Sequence, residues 1–297
     1  MSYNGIKDWA LLAALVLLWG SNFMFVKIGV ASVPPATLVA ARLVIGSLIL
    51  AAVVRAQGLA FPPPGKIWAA YAMVAVVGNC LPFWLIAWGQ TSVDSALAGI
   101  LMAIMPIATL VLAHFFADEP MTRLRALGFA LGFAGIVALT GPEALAGLGG
   151  SASRVLAQLA ILAGALCYAT QSVIVRIKLQ GDVMVASAAI IGIAAAISLP
   201  VALAVDRPWQ LAPGASSVYA VIWIGIGPTA IATLAYLKLI ASAGPTFMSL
   251  VNYCVPVVAL FLGVALMGET PGANAYAGLA LILGGIALSR LRRQPRG

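Results

Sequence analysis

One histidine, eight carboxylates and three cysteines are all the chain offers for acid–base or covalent chemistry. The carboxylates, Asp8, Asp94, Asp118, Glu119, Glu143, Asp182, Asp206 and Glu269, fall in loops or at the ends of apolar runs. His114 stands alone near the end of such a run. It could titrate near neutrality, but a lone histidine there reads as bland. Cys80, Cys167 and Cys254 lie in separate runs without paired spacing, so no disulfide or metal site is indicated. A nucleotide loop of the G-x-x-x-x-G-K-[ST] type is missing, so ATP drives nothing within the chain. Hydrolysis or group transfer needs paired carboxylates, or histidine with a nucleophile or metal. The expectation is therefore a chain that is not an enzyme and carries no cofactor.

What the apolar runs do hold is neutral and aromatic. Trp19 to Asn22 lie in the first, Asn79 with Pro82 and Phe83 in the third, and Met102 in the fourth. Tyr168, Thr170 and Gln171 lie in the sixth, Thr229, Thr233 and Tyr236 in the eighth, and Ser249, Asn252 and Tyr253 in the ninth. Polar groups facing lipid are costly, so these should face the interior. Trp19, Asn22, Asn79, Phe83, Met102, Tyr168, Gln171, Asn252 and Tyr253 are the candidate substrate-binding residues. Each also has a plainer reading. Amides can bond between helices for about 0.6–2 kcal/mol; Trp19, Met102 and Tyr168 can be packing; Asn79 can satisfy a carbonyl freed by Pro82. Pro82, Pro106 and Pro256 are expected to kink their helices. Arg42, about two turns into the second run, has two readings: outward snorkelling or carboxylate binding. Glu119 and Glu269 read as helix-end or loop-closing residues.

The elements that carry these residues follow from composition. The chain has 297 residues, 63% hydrophobic and 8% charged, against about 25% charged in soluble domains. Runs of about 20 apolar residues each span the roughly 30 Å hydrocarbon layer as helix, and continuous runs without alternation favour helices over a barrel. Ten spans are expected: 8–30, 35–56, 66–90, 95–116, 122–140, 154–177, 184–205, 215–241, 245–267 and 272–291. Pro106, Glu119, Gly128, Gly135 and Ile136 recur, shifted by 150, as Pro256, Glu269, Gly278, Gly285 and Ile286. A repeat of that length means two halves, 1–141 and 154–297, joined by a flexible connection at 142–153. Five spans per half is an odd number, so the second half enters upside down. The fold class expected is all-α integral membrane, ten transmembrane helices as two inverted five-helix repeats, an arrangement that recurs in secondary transporters.

Twelve of the sixteen Lys and Arg residues fall on the side that holds both termini; Lys27, Arg42, Arg154 and Arg207 fall on the other. That bias puts both termini in the cytoplasm. The net charge of +8 and the Arg290–Arg296 tail suit anionic lipid and not nucleic acid. A small-molecule substrate and membrane lipid are the expected partners. Nothing sets the oligomeric state, and a monomer is the expectation.

Trp19-Gly20-Ser21-Asn22, then Lys27, Pro34-Pro35 and Arg42, resembles the opening signature of the EamA branch of the drug/metabolite transporter superfamily. Glu119 and Gly268-Glu269, with Gly135-Ile136 and Gly285-Ile286, resemble the end of its repeat. The second half departs from the opening signature, with Tyr168-Ala169-Thr170-Gln171 and Arg176. The resemblance covers the whole chain. It implies export of amino acids, other small metabolites or toxic compounds across a bacterial inner membrane. Exporters of amino acids, aromatic ones included, are similar in size and in their aromatic-plus-amide lining. Amino-acid export by alternating access is the reading carried forward, with multidrug efflux beside it. The missing mid-span carboxylates imply no obligatory proton coupling.

Overall fold

In an apolar solvent every backbone N–H and C=O must pair within its own segment, and the computed structural model pairs them as helix. It describes residues 5–116, 121–146, 152–178, 181–248 and 250–290, and among these there is no strand. The helices are α1 (Ile6–Val30), α2 (Pro35–Ala56), α3 (Lys66–Ala75), α4 (Leu81–Gly89), α5 (Ser95–Met102), α6 (Met105–Phe116) and α7 (Arg123–Ala146). There follow α8 (Ala152–Lys178), α9 (Val183–Val205), α10 (Ala215–Ile224), α11 (Ala232–Met248), α12 (Val251–Met267) and α13 (Ala273–Arg290).

Two π-helical segments join neighbours into longer rods. Val76–Cys80 links α3 to α4, and Gly225–Ile231 links α10 to α11. The first, shifted by 150, falls on 226–230, inside the second. Among the described residues seven spans are long and apolar enough to cross a membrane: Ile6–Val30, Pro35–Ala56, Lys66–Gly89, Ser95–Phe116, Ser153–Ile177, Val183–Val205 and Ala215–Gly244. Val251–Met267 and Ala273–Ser289 are shorter apolar helices. Gly244 (φ 79°, ψ 167°) breaks the chain at the boundary expected between 215–241 and 245–267, and the span expected at 245–267 is shortened because the chain turns at Leu250 before α12 begins. Residues 142–146, expected as flexible connection, continue α7 as helix. Their Glu-Ala-Leu-Ala run has high helix propensity.

The pairing of helices crosses between the ends of the chain. α2 packs on α9, α7 on α13, α1 on α10 and α12, α5 on α12, and α4 and α6 on α8. The α7–α13 pair shows why glycines recur at fixed spacing. A Cβ on Gly128 would lie 2.5 Å from the Gly285 carbonyl oxygen, and one on Gly285 would lie 2.5 Å from that of Gly128. One turn pair further, a Cβ on Gly135 would lie 2.9 Å from the Gly278 carbonyl. Four repeat anchors are thus one helix crossing, of the small-residue kind that lets backbones touch in lipid.

Three clusters of apolar side chains fill the interior. Leu38, Leu43, Leu50, Val74 and Ile190 centre the one between α2, α3 and α9. Ile100, Leu101, Ile161 and Ile282 centre another, and Leu15, Leu239 and Val251 the third.

Carboxylates and a lysine hold the helix ends together. Glu269 follows the left-handed cap Gly268 (φ 66°) of α12, and accepts from Ser95 N (2.8 Å), Ser95 Oγ (2.7 Å) and Ala96 N (2.8 Å). It thereby caps α5 from another helix, meeting donors that a helix start leaves open. Asp206, at the end of α9, caps α2 in the same way through Thr37 N (2.7 Å) and Oγ1 (2.9 Å). Lys27 Nζ donates to the Gln90 and Val93 carbonyls, both at 3.0 Å, and closes the C-terminal end of α4. The loop-closing reading of Glu269 holds; Glu119 lies outside the described residues.

Candidate functional site

Leu38, Val39, Arg42, Leu43, Gly46, Leu50 and Val54 form the buried stripe of α2. The spacing is helical, so Arg42 turns inward with its apolar neighbours. It does not snorkel: its relative exposure is 4%. The reason lies one turn on. A Cβ on Gly46 would lie 2.6 Å from Thr229 Cγ2, so only a glycine lets the π segment Gly225–Ile231 come this close. That approach puts Thr229 within reach of the guanidinium. Arg42 Nε (3.3 Å) and Nη2 (3.1 Å) both donate to Thr229 Oγ1.

Pro228 sets the polarity of that hydroxyl. A proline has no N–H and leaves the carbonyl four residues back without its helical donor. Here that carbonyl belongs to Ile224, and Thr229 Oγ1 donates to it at 2.7 Å. With its proton so engaged, the hydroxyl faces Arg42 as an acceptor, the only role a guanidinium can use. The Pro228 carbonyl in turn accepts from Trp19 Nε1 at 3.3 Å, and the Thr229 carbonyl from Thr233 Oγ1 at 2.6 Å.

On its other side Arg42 lies over an aromatic face, its Cζ 3.9 Å from the Phe83 centroid. Phe83 meets Tyr168 edge to face at 6.3 Å, and Trp19 lies 5.9 Å from Tyr236. A continuous array therefore runs from Trp19 through Pro228, Thr229, Arg42 and Phe83 to Tyr168. No carboxylate among the described residues pairs with Arg42; Asp94 instead pairs with Lys27 (3.8 Å) and with Arg154 (3.7 Å).

Of the residues singled out by sequence, Trp19, Phe83 and Tyr168 belong to this array. Asn79 is buried in the π segment Val76–Cys80. Gln171 packs against Gly78 beside it, where a Cβ would collide with the glutamine side chain. Asn22 is half-buried, and its Oδ1 is fully enclosed with no hydrogen-bond partner. Met102 and Tyr253 pack with Tyr168 against the Ile100–Ile161 cluster. Asn252 is half-buried near the start of α12; Ser249 lies outside the described residues. Pro82 sits in the first turn of α4, directly after a π segment. Pro106 sits in the first turn of α6, after the break at Ala103 and Ile104. Pro256 lies within α12, downstream of the break at Leu250. Two grooves of about 590 and 340 Å³ lie elsewhere, around Arg55–Phe61 and between Ser47, Trp68 and Ala188.

Sequence reasoning named Thr229 but did not join it to Arg42. The available signal was Gly46 one turn beyond the arginine, with Pro228 next to the threonine. Among the described residues there is no cluster of three or more His, Cys, Asp or Glu side chains.

Known proteins share this architecture. A solved structure, described as "Crystal structure of protein", superposes with a TM-score of 0.68 at 22% identity, covering 95% of this chain and 96% of that one. The "Uncharacterized inner membrane transporter YedA" of Escherichia coli (strain K12) is 28% identical over 284 residues, 94% of this chain and 89% of the relative. A "Probable terminal-alkyne amino-acid exporter" of Streptantibioticus cattleyicolor is 27% identical over 292 residues, 96% of this chain and 93% of the relative. The model of the EamA-like transporter family matches residues 8–141 and again 155–291. The chain belongs to the EamA-like transporter family.

Proposed function

We propose that this protein exports amino acids, aromatic ones among them, or similar small metabolites across the cytoplasmic membrane. It works by alternating access, with ten spans in two inverted halves, 1–141 and 154–297, and both termini in the cytoplasm. The observation that carries this reading is the half-buried aromatic array in which residues of one half meet those of the other. Trp19 bonds the Pro228 carbonyl, and Phe83 packs on Tyr168. A site shared between repeats is where such carriers hold substrate. Trp19, Asn22, Asn79, Phe83, Met102, Tyr168, Gln171, Asn252 and Tyr253 are the proposed lining. The paired π segments, and the breaks beside Pro106 and upstream of Pro256, support motion of one half against the other. A relative described as an amino-acid exporter supports the substrate class.

Proton coupling is not obligatory in this reading. A coupling group must change charge while reachable from the site, and Asp8, Asp94, Asp182, Asp206 and Glu269 all stand at helix ends. The test is flux of labelled amino acids and of cationic drugs into proteoliposomes. Saturable amino-acid exchange, without uphill accumulation after a pH step, is the expected result. Transport of the drugs alone would replace the reading with multidrug efflux. Accumulation abolished by an ionophore would show a proton path through other groups.

A further inference from the structure

Arg42 is a full positive charge buried among apolar helices without a counter-charge among the described residues. Burying an ion unpaired is costly, and proteins normally pair such groups. What it has instead is one neutral acceptor, Thr229 Oγ1, and the face of Phe83. Both orient the guanidinium without neutralising it. Thr229 takes the Nε edge: one N–H from Nε and one from Nη2. A guanidinium has five N–H donors in a fixed fork. The edge spanning Nη1 and Nη2 keeps two of the other three, and no described group accepts from Nη1. That edge is the one that grips a carboxylate through two parallel bonds.

We infer that Arg42 is the carboxylate-binding subsite of the translocation path, with Phe83 and Tyr168 as the apolar wall beside it. The inference deepens the proposed function and rests on the chain being a carrier of small metabolites. It takes a carboxylate because one guanidinium edge matches one planar, singly charged group. Lipid headgroups are kept away by burial, since Arg42 is 4% exposed between apolar helices. The aromatic rings favour an apolar or aromatic body on the ligand. Thr229 and Phe83 are positioning residues: the hydroxyl fixes the fork's rotation, and the ring fixes its plane. Because Thr229 belongs to a π segment in the second half and Arg42 to α2 in the first, a bound carboxylate sits where relative motion of the halves would be felt.

The experiment is a thermal-shift titration of the purified full chain with three matched probes: phenylalanine, phenylacetate and phenethylamine. Inorganic phosphate is a fourth. Phenylalanine and phenylacetate should protect the wild type, while phenethylamine and phosphate should not. Arg42→Gln should abolish the protection. Arg42→Lys keeps the charge but loses the fork, and should weaken the apparent affinity at least about tenfold. The lysine variant decides the matter if the glutamine variant does not fold. Protection by phenethylamine or phosphate equal to that by phenylalanine would overturn the inference. Undiminished protection in Arg42→Lys, or no protection of the wild type by either carboxylate, would overturn it too. Phenylacetate binding with no flux of any amino acid would instead overturn the proposed substrate and leave Arg42 in its role.

Discussion

Replacing Glu269 by alanine should destabilise this protein more than removal of a residue near a membrane surface normally does. The carboxylate accepts three hydrogen bonds at 2.7–2.8 Å, two from backbone N–H groups at the start of α5 and one from Ser95 Oγ. Bonds to a charged group contribute about 1.5–3 kcal/mol each. Three that share one carboxylate do not add fully, and the last donors of a helix end recover some water. Yet Ser95 and Ala96 are both 0% exposed, so their N–H groups gain little from solvent. A loss of about 3–5 kcal/mol is therefore expected. At about 2 °C per kcal/mol for a chain of this size, the melting midpoint should fall by about 6–10 °C. Glu269→Gln keeps an acceptor oxygen but not the charge, and should fall about half as far. Thermal unfolding in detergent can be followed with a thiol-reactive dye in a chain whose half-buried Cys167 and Cys254 are replaced by alanine, because the remaining Cys80 is fully buried and reacts only on opening. A cycle with Ser95→Ala isolates the hydroxyl bond, with an expected coupling of about 1–2 kcal/mol. A midpoint for Glu269→Ala within about 1 °C of wild type would refute the reasoning, because it would mean that α5 needs no cap from α12.

Further outcomes follow from the same structure. Gly128→Val should separate α7 from α13 and lower stability by about 3 kcal/mol or more, since its Cβ meets backbone rather than a movable side chain; Gly192→Ala, with open space around it, should be neutral in the same melting assay. Asn22→Ala, Asn79→Ala and Gln171→Ala should each reduce flux severalfold in proteoliposomes with near-normal expression, because neutral amides contribute only about 0.6–2 kcal/mol to helix association; wild-type rates in all three would place the lining elsewhere. Cysteines introduced in a cysteine-free chain at Asp94 and Asp206 should label from outside and those at Arg123 and Arg293 only from inside; outside labelling at Arg293 would remove the inverted-repeat reading.

Helix content and the recurrence of glycines at an offset of 150 were legible in the sequence, because they depend on local composition and spacing; that Gly128, Gly135, Gly278 and Gly285 meet in one crossing of α7 with α13 was not. Nor was the direction in which Arg42 points. A helix that is apolar nearly all round gives no stripe by which one face could be told from another, so the general tendency of arginine to reach for the interface prevailed. What overrode it was a contact from residue 229, 187 positions away. The role of Lys27 was hidden for a similar reason: its partners are backbone carbonyls of residues 90 and 93, which no side-chain pattern announces. The shortened ninth span also depended on backbone conformation: the break at Gly244 falls at the boundary expected between 215–241 and 245–267, but the turn at Leu250 that delays α12 lies inside an apolar run that hydropathy reads as continuous.

The distribution of charge gives these details a common logic. Acidic side chains are spent at helix ends: Glu269 on α5, Asp206 on α2, and Asp182 on its own helix, where its Oδ1 accepts from Val185 N at 2.9 Å. In those places the carboxylates are stabilised by helix dipoles and by open N–H groups. The central array holds a guanidinium and no acid among the described residues. Had a carboxylate stood beside Arg42, the pair would be neutral, and an incoming anion would have to displace it before binding. With these acids fixed at helix ends, Arg42 is left, among the described residues, with a hydroxyl and a ring. The same arrangement that closes the helix ends thus keeps the interior short of one negative charge, and a substrate carboxylate would supply it.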